Sequence, residues 1–263
     1  MPETKNVLLH RGAGHGDVLL LTSAIPGLQE KFPGVKVYFK TGEGFDALIL
    51  HDPRIAGIHW NYHPPPNVDF DISIRVDHKQ TWGSNIWMPI AMCRFVGVKF
   101  SLPKLFLLPE ELQAATSCDV AITNKYPVIG GRAYEHMDRL AKHLIDFGYH
   151  VRQIDLGPPM CKGIDNPPLT IREAAAAVAK ARCLVTPDCV FMHVGVLLDK
   201  PIVAVFNPEL RTSPKNQYVP NCWDAHWKWQ PERILPMVKH LLGDGPAPNE
   251  ENTFDPAYKT SQS

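Results

Sequence analysis

The sequence lacks an excess of charge of either sign. Its 263 residues include 27 lysines and arginines and 27 aspartates and glutamates, so the formal net charge is zero. A protein that holds nucleic acid mainly through a strong basic field carries a marked positive excess. The balance therefore disfavours that class of protein, although a local basic patch is compatible with it.

The sequence also lacks paired cysteines and long apolar runs. Its six cysteines form no C-x-x-C pair, which predicts reduced thiols in a cytoplasmic protein and no structural zinc site. The N-terminus, Met1 to Asn6, has neither the basic region nor the apolar core of a signal peptide. No run approaches the length of a membrane span, so we expect no transmembrane segment.

The stretch from Val7 to Phe32 organises the first half of the chain. A short apolar run, Val7 to Leu9, leads into a turn that contains Gly12, Gly14 and Gly16. Apolar residues then recur at helical spacing up to Leu28 and Phe32. A buried strand, a glycine turn and a helix N-terminus together predict an anion-binding site.

Asp17 is the ionisable residue at the mouth of this first helix. Aspartate is common at helix N-caps, so a structural role is one interpretation, and catalysis at a sharp turn beside an anion site is the other. The spacing G-x-G-x-G departs from the dinucleotide fingerprint G-x-G-x-x-G, which weakens a third interpretation.

Strand and helix patterns alternate along both halves of the chain. Further strands are predicted at Val35–Phe39, Ile55–Trp60, Phe70–Val76, Val120–Ile122, Val128–Ile129, His150–Ile154, Cys183–Thr186 and Pro201–Phe206. Helices are predicted near Phe45–Leu50, over Trp82–Val96 with a kink at Pro89, weakly at Pro109–Thr116, and over Tyr134–Phe147, Leu169–Ala181, Val190–Leu198 and Ile234–Leu242. Such alternation predicts parallel α/β sheets covered by helices on both faces.

A second strand-loop-helix site is predicted in the latter half. Thr186 and Pro187 end a strand, and a helix follows directly from about Val190. The amides of Cys189 and Val190 are candidates for binding a diphosphate, with Asp188 and His193 close by. Taken singly, each residue is better explained structurally, Asp188 as an N-cap and His193 as a packed histidine. The presence of two such strand-loop-helix sites, one per sheet, weakens that interpretation.

These two segments resemble the family nine glycosyltransferases, the group of bacterial lipopolysaccharide heptosyltransferases. Val7 to Thr41 is similar to the N-terminal signature of that family, with its glycine turn, Gly-Asp and Leu-Leu-x-Thr. Leu169 to Pro208 is similar to its donor-side segment. The resemblance extends to about Leu242 and implies a GT-B fold, with two Rossmann-like domains facing across a cleft.

The resemblance implies an inverting glycosyltransferase that needs no metal or cofactor and uses a nucleotide sugar as co-substrate. Its domains are expected at 1–112 on the acceptor side and 113–243 on the donor side, followed by a flexible tail at 244–263. Asp17 matches the carboxylate that acts as general base on the acceptor hydroxyl. Gly14, His15, Gly16 and Trp82 are expected to contact the acceptor.

On the donor side, Asp188, Cys189, Val190 and His193 match the turn that binds the diphosphate. Lys125, Arg132, Arg211 and Lys215 are further candidates for diphosphate contact, because they lie in loops expected at the cleft. Two positions depart from the family pattern. Val190 stands where glycine is usual, and Asn207-Pro208-Glu209 replaces Gly-Pro-Thr, so Asn207 is expected in an altered donor pocket.

The acceptor is left open by these observations. A lipopolysaccharide core glycan is what the resemblance implies, and a hydroxymethylated pyrimidine in DNA is an alternative that needs a base drawn out of the duplex. A non-catalytic nucleotide-binding module is an alternative from a different class.

Overall fold

The computed structural model describes residues 4–12, 14–60, 68–77, 87–124, 133–155, 157–207, 222–226 and 228–247. The chain divides into two compact units, Met1–Leu108 and Pro109–Ser263. Among the described residues, no helix has the length and apolar content that crossing a membrane requires. The predicted strand at Val128–Ile129 and the expected tail beyond residue 247 lie outside the described residues.

The first unit contains a four-stranded parallel sheet in the order β3-β2-β1-β4. Its strands are β1 (Asn6–His10), β2 (Lys36–Thr41), β3 (Ile55–Trp60) and β4 (Ile72–Arg75). Val7 and Leu9 on β1 pair with Val37 and Phe39 on β2, and all four side chains are completely buried. These four side chains lie on one face of the sheet, and Leu8 is buried on the other.

The helical segment after β1 is broken into three pieces. It consists of α1 (His15–Leu21), a 3₁₀ turn (Thr22–Ala24) and α2 (Ile25–Lys31), where one continuous helix was predicted. Pro26 lies in the first turn of α2 and has no N–H to donate to the preceding turn. The amide of Ile25 instead donates to the carbonyl of Thr22, which tightens the chain into the 3₁₀ turn.

Two other predictions in the first unit are wrong in detail. The segment near Phe45 forms successive turns rather than a helix, with the amide of Phe45 donating to the Gly42 carbonyl and the amide of Ile49 to that of Asp46. Helix α3 (Met88–Val96) is not kinked at Pro89, because Pro89 occupies its first turn, where no intrahelical donor is needed.

The second unit contains a five-stranded parallel sheet in the order β6-β5-β7-β8-β9. Its strands are β5 (Cys118–Ile122), β6 (Val151–Gln153), β7 (Ala181–Pro187), β8 (Ile202–Phe206) and β9 (Cys222–His226). Its helices are α4 (Pro109–Ala114), α5 (Met137–Asp146), α6 (Ile171–Lys180), α7 (Val190–Leu197) and α8 (Pro231–Leu242). The predicted helix-strand alternation is confirmed here, while β9 was missed.

Helix ends in the second unit follow their sequence signals. Thr170 caps α6 and forms a capping box with Glu173, as the spacing predicts. Gly148 and Gly243 follow α5 and α8 with φ of 93° and 82°, the left-handed conformation that glycine adopts without strain. These caps fix where each of the three helices begins or ends.

Candidate active site

Asp17 lies in the first turn of α1, directly beyond the carboxyl end of β1. The N-cap of α1 is Gly14, whose φ of 71° is left-handed, and no side chain caps the helix. The structural interpretation of Asp17 as an N-cap is therefore wrong, because the helix begins two residues earlier, at His15. The predicted acceptor residues Gly14, His15 and Gly16 all lie at this helix start.

A buried arginine holds the Asp17 carboxylate. The Arg11 guanidinium donates through Nη2 to Asp17 Oδ2 at 2.9 Å and through Nη1 to the carbonyl of Val76 at 2.9 Å. The Arg11 side chain is 2 % exposed, whereas that of Asp17 is 17 % exposed. One oxygen of Asp17 is thus anchored from inside the protein while part of the carboxylate reaches the surface.

The turn after β2 packs against the glycine turn after β1. A Cβ on Gly42 would lie 3.1 Å from the Gly12 carbonyl oxygen and 2.8 Å from the ring of Phe45. The His15 ring meets Phe45 edge-on, with centroids 5.2 Å apart. Burial lowers the pKa of His15, opposed by the nearby Asp46 carboxylate and by a backbone hydrogen bond at Phe45. The imidazole is therefore neutral at pH 7.

In the second unit, the predicted donor residues gather at the carboxyl edge of the sheet. Asp188 follows β7 and Asn207 follows β8, and these two strands are hydrogen-bonded neighbours. Both side chains are buried, with exposed fractions of 9 % and 7 %. Parallel strands end at a common edge, so both residues lie where ligands bind in open α/β sheets.

Helix α7 begins at this edge with Cys189 as its N-cap, not Asp188. The Cys189 thiol is buried against the hydroxyl of Thr186 at 3.2 Å, and burial raises its pKa to about 11. A neutral thiol at the start of α7 leaves the positive end of the helix dipole to an incoming anion. His193 lies one turn into the same helix and is half-buried.

Asp155 organises the neighbouring loop and was missed in the sequence. It follows β6 and accepts hydrogen bonds from the Thr123 hydroxyl at 3.1 Å and from the Asn124 amide at 2.8 Å. It also accepts from the Gly157 amide at 2.9 Å and from the side chain of Gln153 at 2.7 Å. Its position directly after a strand is a signal that points to this edge.

The fold, but not the sequence, resembles known proteins. The sequence matches no protein-family model, and no curated protein sequence is similar to it. The fold does match solved structures. The E. coli ADP-heptose lipopolysaccharide heptosyltransferase II superposes with a TM-score of 0.68 at 15 % identity, over 91 % of this chain and 98 % of that one. The chain has the GT-B fold.

Other GT-B structures extend the likeness. A family 9 glycosyltransferase of Veillonella parvula matches with a TM-score of 0.68 at 14 % identity, covering 92 % of this chain and 98 % of that one. The iron-containing dodecameric glycosyltransferase TibC of E. coli matches with a TM-score of 0.63 at 14 % identity, over 85 % of this chain and 63 % of that one. The resemblance to family nine is thus confirmed at the level of the GT-B fold.

Some predicted residues lie outside the described part of this GT-B chain. They are Lys125, Arg132, Arg211 and Lys215 on the donor side and Trp82 on the acceptor side. Among the described residues, no cluster of three or more histidine, cysteine, aspartate or glutamate side chains is arranged to hold a metal ion. The sequence did not identify three residues at the carboxyl edge of the first sheet as candidate site residues: Arg11, Asp46 and Trp60.

Proposed function

We propose that the protein is an inverting glycosyltransferase that takes a sugar from a nucleotide diphosphate donor without a metal ion. The observation that carries this proposal is the Arg11–Asp17 pair, which presents an anchored, partly exposed carboxylate at the first turn of α1 in a GT-B fold. A general base must be held in position and must also be reachable by the hydroxyl group that it deprotonates.

In the proposed reaction, the acceptor hydroxyl gives its proton to the Asp17 carboxylate. The acceptor oxygen forms a bond to the anomeric carbon, and the bond from that carbon to the diphosphate oxygen breaks. The nucleoside diphosphate leaves with the bonding electrons, and Asp17 later releases its proton to water. Attack opposite the leaving group inverts the anomeric configuration.

The second unit supplies the donor side of the proposal. The leaving diphosphate gains negative charge as the glycosidic bond breaks, and helix N-terminal amides stabilise such charge. The amides at Cys189 and Val190 begin α7, with Asp188, His193 and Asn207 around them. Since the E. coli structure named above belongs to an ADP-heptose enzyme, we propose an ADP-linked sugar as the first donor to test. The free thiols among the described residues support a cytoplasmic location for the proposed activity.

Replacement of the base tests the proposal directly. Asp17→Asn keeps the shape of the side chain but cannot accept the proton, so we expect kcat for donor turnover to fall by about 10²–10⁴-fold. ADP affinity, measured by calorimetry, should stay the same because the donor residues belong to the other unit. The readout is release of the matching nucleoside diphosphate, ADP, GDP or UDP, from ADP-, GDP- and UDP-linked sugars with candidate acceptors.

Asp71→Asn is the control, since Asp71 is an exposed carboxylate that accepts from the Asn6 amide at 2.7 Å, at the opposite end of β1. We expect it to turn over normally. Unchanged turnover in Asp17→Asn removes Asp17 from the mechanism. ADP binding without turnover in the unaltered protein supports a non-catalytic nucleotide-binding module instead.

A further inference from the structure

Trp60 is a large aromatic side chain that the proposed mechanism does not use. It is the last residue of β3, at the same carboxyl edge of the first sheet as Asp17, and 37 % of it is exposed. Its indole Nε1 donates to Asp46 Oδ2 at 3.3 Å, and Asp46 is itself only 9 % exposed. The ring is therefore held at one end by a buried carboxylate while much of its surface faces outward.

Strand register places Trp60 level with the catalytic end of β1. Trp60 pairs with Thr41 on β2, and the preceding residue Lys40 pairs with His10 on β1. Trp60 thus stands level with Arg11, two strand spacings away, or about 10 Å. Because Arg11 holds Asp17, the indole and the carboxylate border one stretch of the same sheet edge.

The turn between these strands connects the two groups. The Asp46 carboxylate that accepts the Trp60 hydrogen bond also lies close enough to His15 to oppose the lowering of its imidazole pKa by burial. His15 is two residues before Asp17, and its ring packs on Phe45. The indole and the carboxylate are therefore placed to contact one and the same acceptor molecule.

The charges along this edge distinguish between the two kinds of acceptor. Asp17 and Asp46 are carboxylates, and the Arg11 guanidinium pairs with Asp17, so these three groups carry one net negative charge. Burial lowers the pKa of His15, so that the imidazole adds no positive charge at pH 7. Phosphodiesters are disfavoured beside such groups, whereas a sugar ring offers hydroxyls to carboxylates and an apolar C–H face to an aromatic ring. We propose that Trp60 is the platform on which a sugar ring of a carbohydrate acceptor stacks.

This inference rests on the proposed function, and its test separates the two. The probe is a deacylated lipopolysaccharide core oligosaccharide, with ADP-heptose as donor. Trp60→Ala should raise KM for the oligosaccharide about tenfold, because the stacking surface is lost. Trp60→Phe keeps an aromatic face and should recover most of the affinity. ADP binding by calorimetry is recorded for every variant.

Phe95→Ala is the matched control, since Phe95 is another exposed aromatic of the first unit, 42 % exposed on α3. We expect its KM to equal that of the unaltered protein. The inference is overturned if Trp60→Ala leaves KM unchanged, or if Trp60→Phe is as impaired as Trp60→Ala.

Two results for the unaltered protein are also decisive. In the first, the protein binds ADP but transfers the sugar to hydroxymethylated DNA, or neither binds the oligosaccharide nor transfers to it. Either outcome overturns the carbohydrate acceptor and leaves the proposed use of a nucleotide donor standing. Failure to bind ADP, GDP and UDP, together with no turnover of any of their sugars, overturns the proposed function, and the role of Trp60 falls with it.

Discussion

At the scale of single residues, the Arg11–Asp17 pair is the decisive contact. The Arg11 guanidinium donates one hydrogen bond to Asp17 and another to the Val76 carbonyl, just after β4. Charge-assisted bonds to a buried guanidinium are stronger than bonds at the surface. The sequence identified Asp17 because the glycines before it predict a turn. The hydrogen bond from Arg11 to Val76 could not be predicted, since it joins residues 65 positions apart.

A double-mutant cycle on this pair tests its strength. The variants Arg11→Met, Asp17→Asn and the combination should show a coupling of about 1–3 kcal/mol in the free energy of unfolding. Arg11→Met alone should be the most damaging single change, because the Val76 carbonyl also loses its donor. Urea denaturation followed by circular dichroism gives the four values.

The exposed pair Arg75–Asp77 provides the comparison for this cycle. Its side chains are 69 % and 47 % exposed, and their contact is 2.8 Å. The same cycle there should give a coupling of about 0–1 kcal/mol. Equal couplings for the two pairs, or additive effects at Arg11 and Asp17, contradict the interpretation of an anchored base.

At the scale of elements, two helix glycines mark close approaches of a helix to its neighbours. A Cβ on Gly27 of α2 would lie 2.7 Å from the Lys99 carbonyl oxygen, which is backbone and cannot turn aside. A Cβ on Gly195 of α7 would lie 2.7 Å from the end of the Leu184 side chain and 2.9 Å from the end of the Ile202 side chain, which are side-chain rather than backbone atoms. Neither contact is visible in a helical pattern.

We expect these glycines to respond differently to alanine. Gly27→Ala should lower the free energy of unfolding by about 1–3 kcal/mol, since overpacking outweighs the gain of about 1 kcal/mol in helix propensity. Gly195→Ala should cost clearly less. Chemical denaturation of both variants measures the difference, and a stabilised Gly27→Ala protein shows that α2 can move away from Lys99.

Elements themselves were predictable wherever burial produces an uninterrupted pattern. The apolar runs of β1, β7 and β8 and the capping box at Thr170 each identify their element. The 3₁₀ turn before Pro26 depends on one missing donor within an otherwise helical pattern. Strand β9 was missed because its tryptophan, aspartate and histidine resemble an aromatic loop, and only pairing with β8 makes it a strand. Trp60 was assigned correctly to a strand, but exposure is a tertiary property.

At the scale of the whole molecule, the two compact units predict a divided response to ligand. ADP should protect the unit that carries Asp188 and α7, and saturation at about 100 times the dissociation constant stabilises a binding unit by about 2.7 kcal/mol. Hydrogen exchange should therefore slow in peptides covering β5 to β8. Peptides from β1 and β2 should exchange as before.

UDP and AMP serve as comparison ligands in that experiment, since they vary the base and remove one phosphate. A weaker effect of AMP is expected if the helix amides of α7 bind the diphosphate. Slower exchange confined to the first unit contradicts the assignment of the donor site.

An ion pair just after the boundary between the units bears on how such a chain can recombine. Glu111 on α4 forms a two-pronged ion pair with Arg172 on α6, including a contact of 2.6 Å between Nη2 and Oε2. The ion pair thus attaches the chain to the second unit at Glu111, three residues after the boundary at Leu108. A genetic crossover at that boundary leaves both members of the ion pair on one side, so recombination can exchange the first unit while the second is inherited whole.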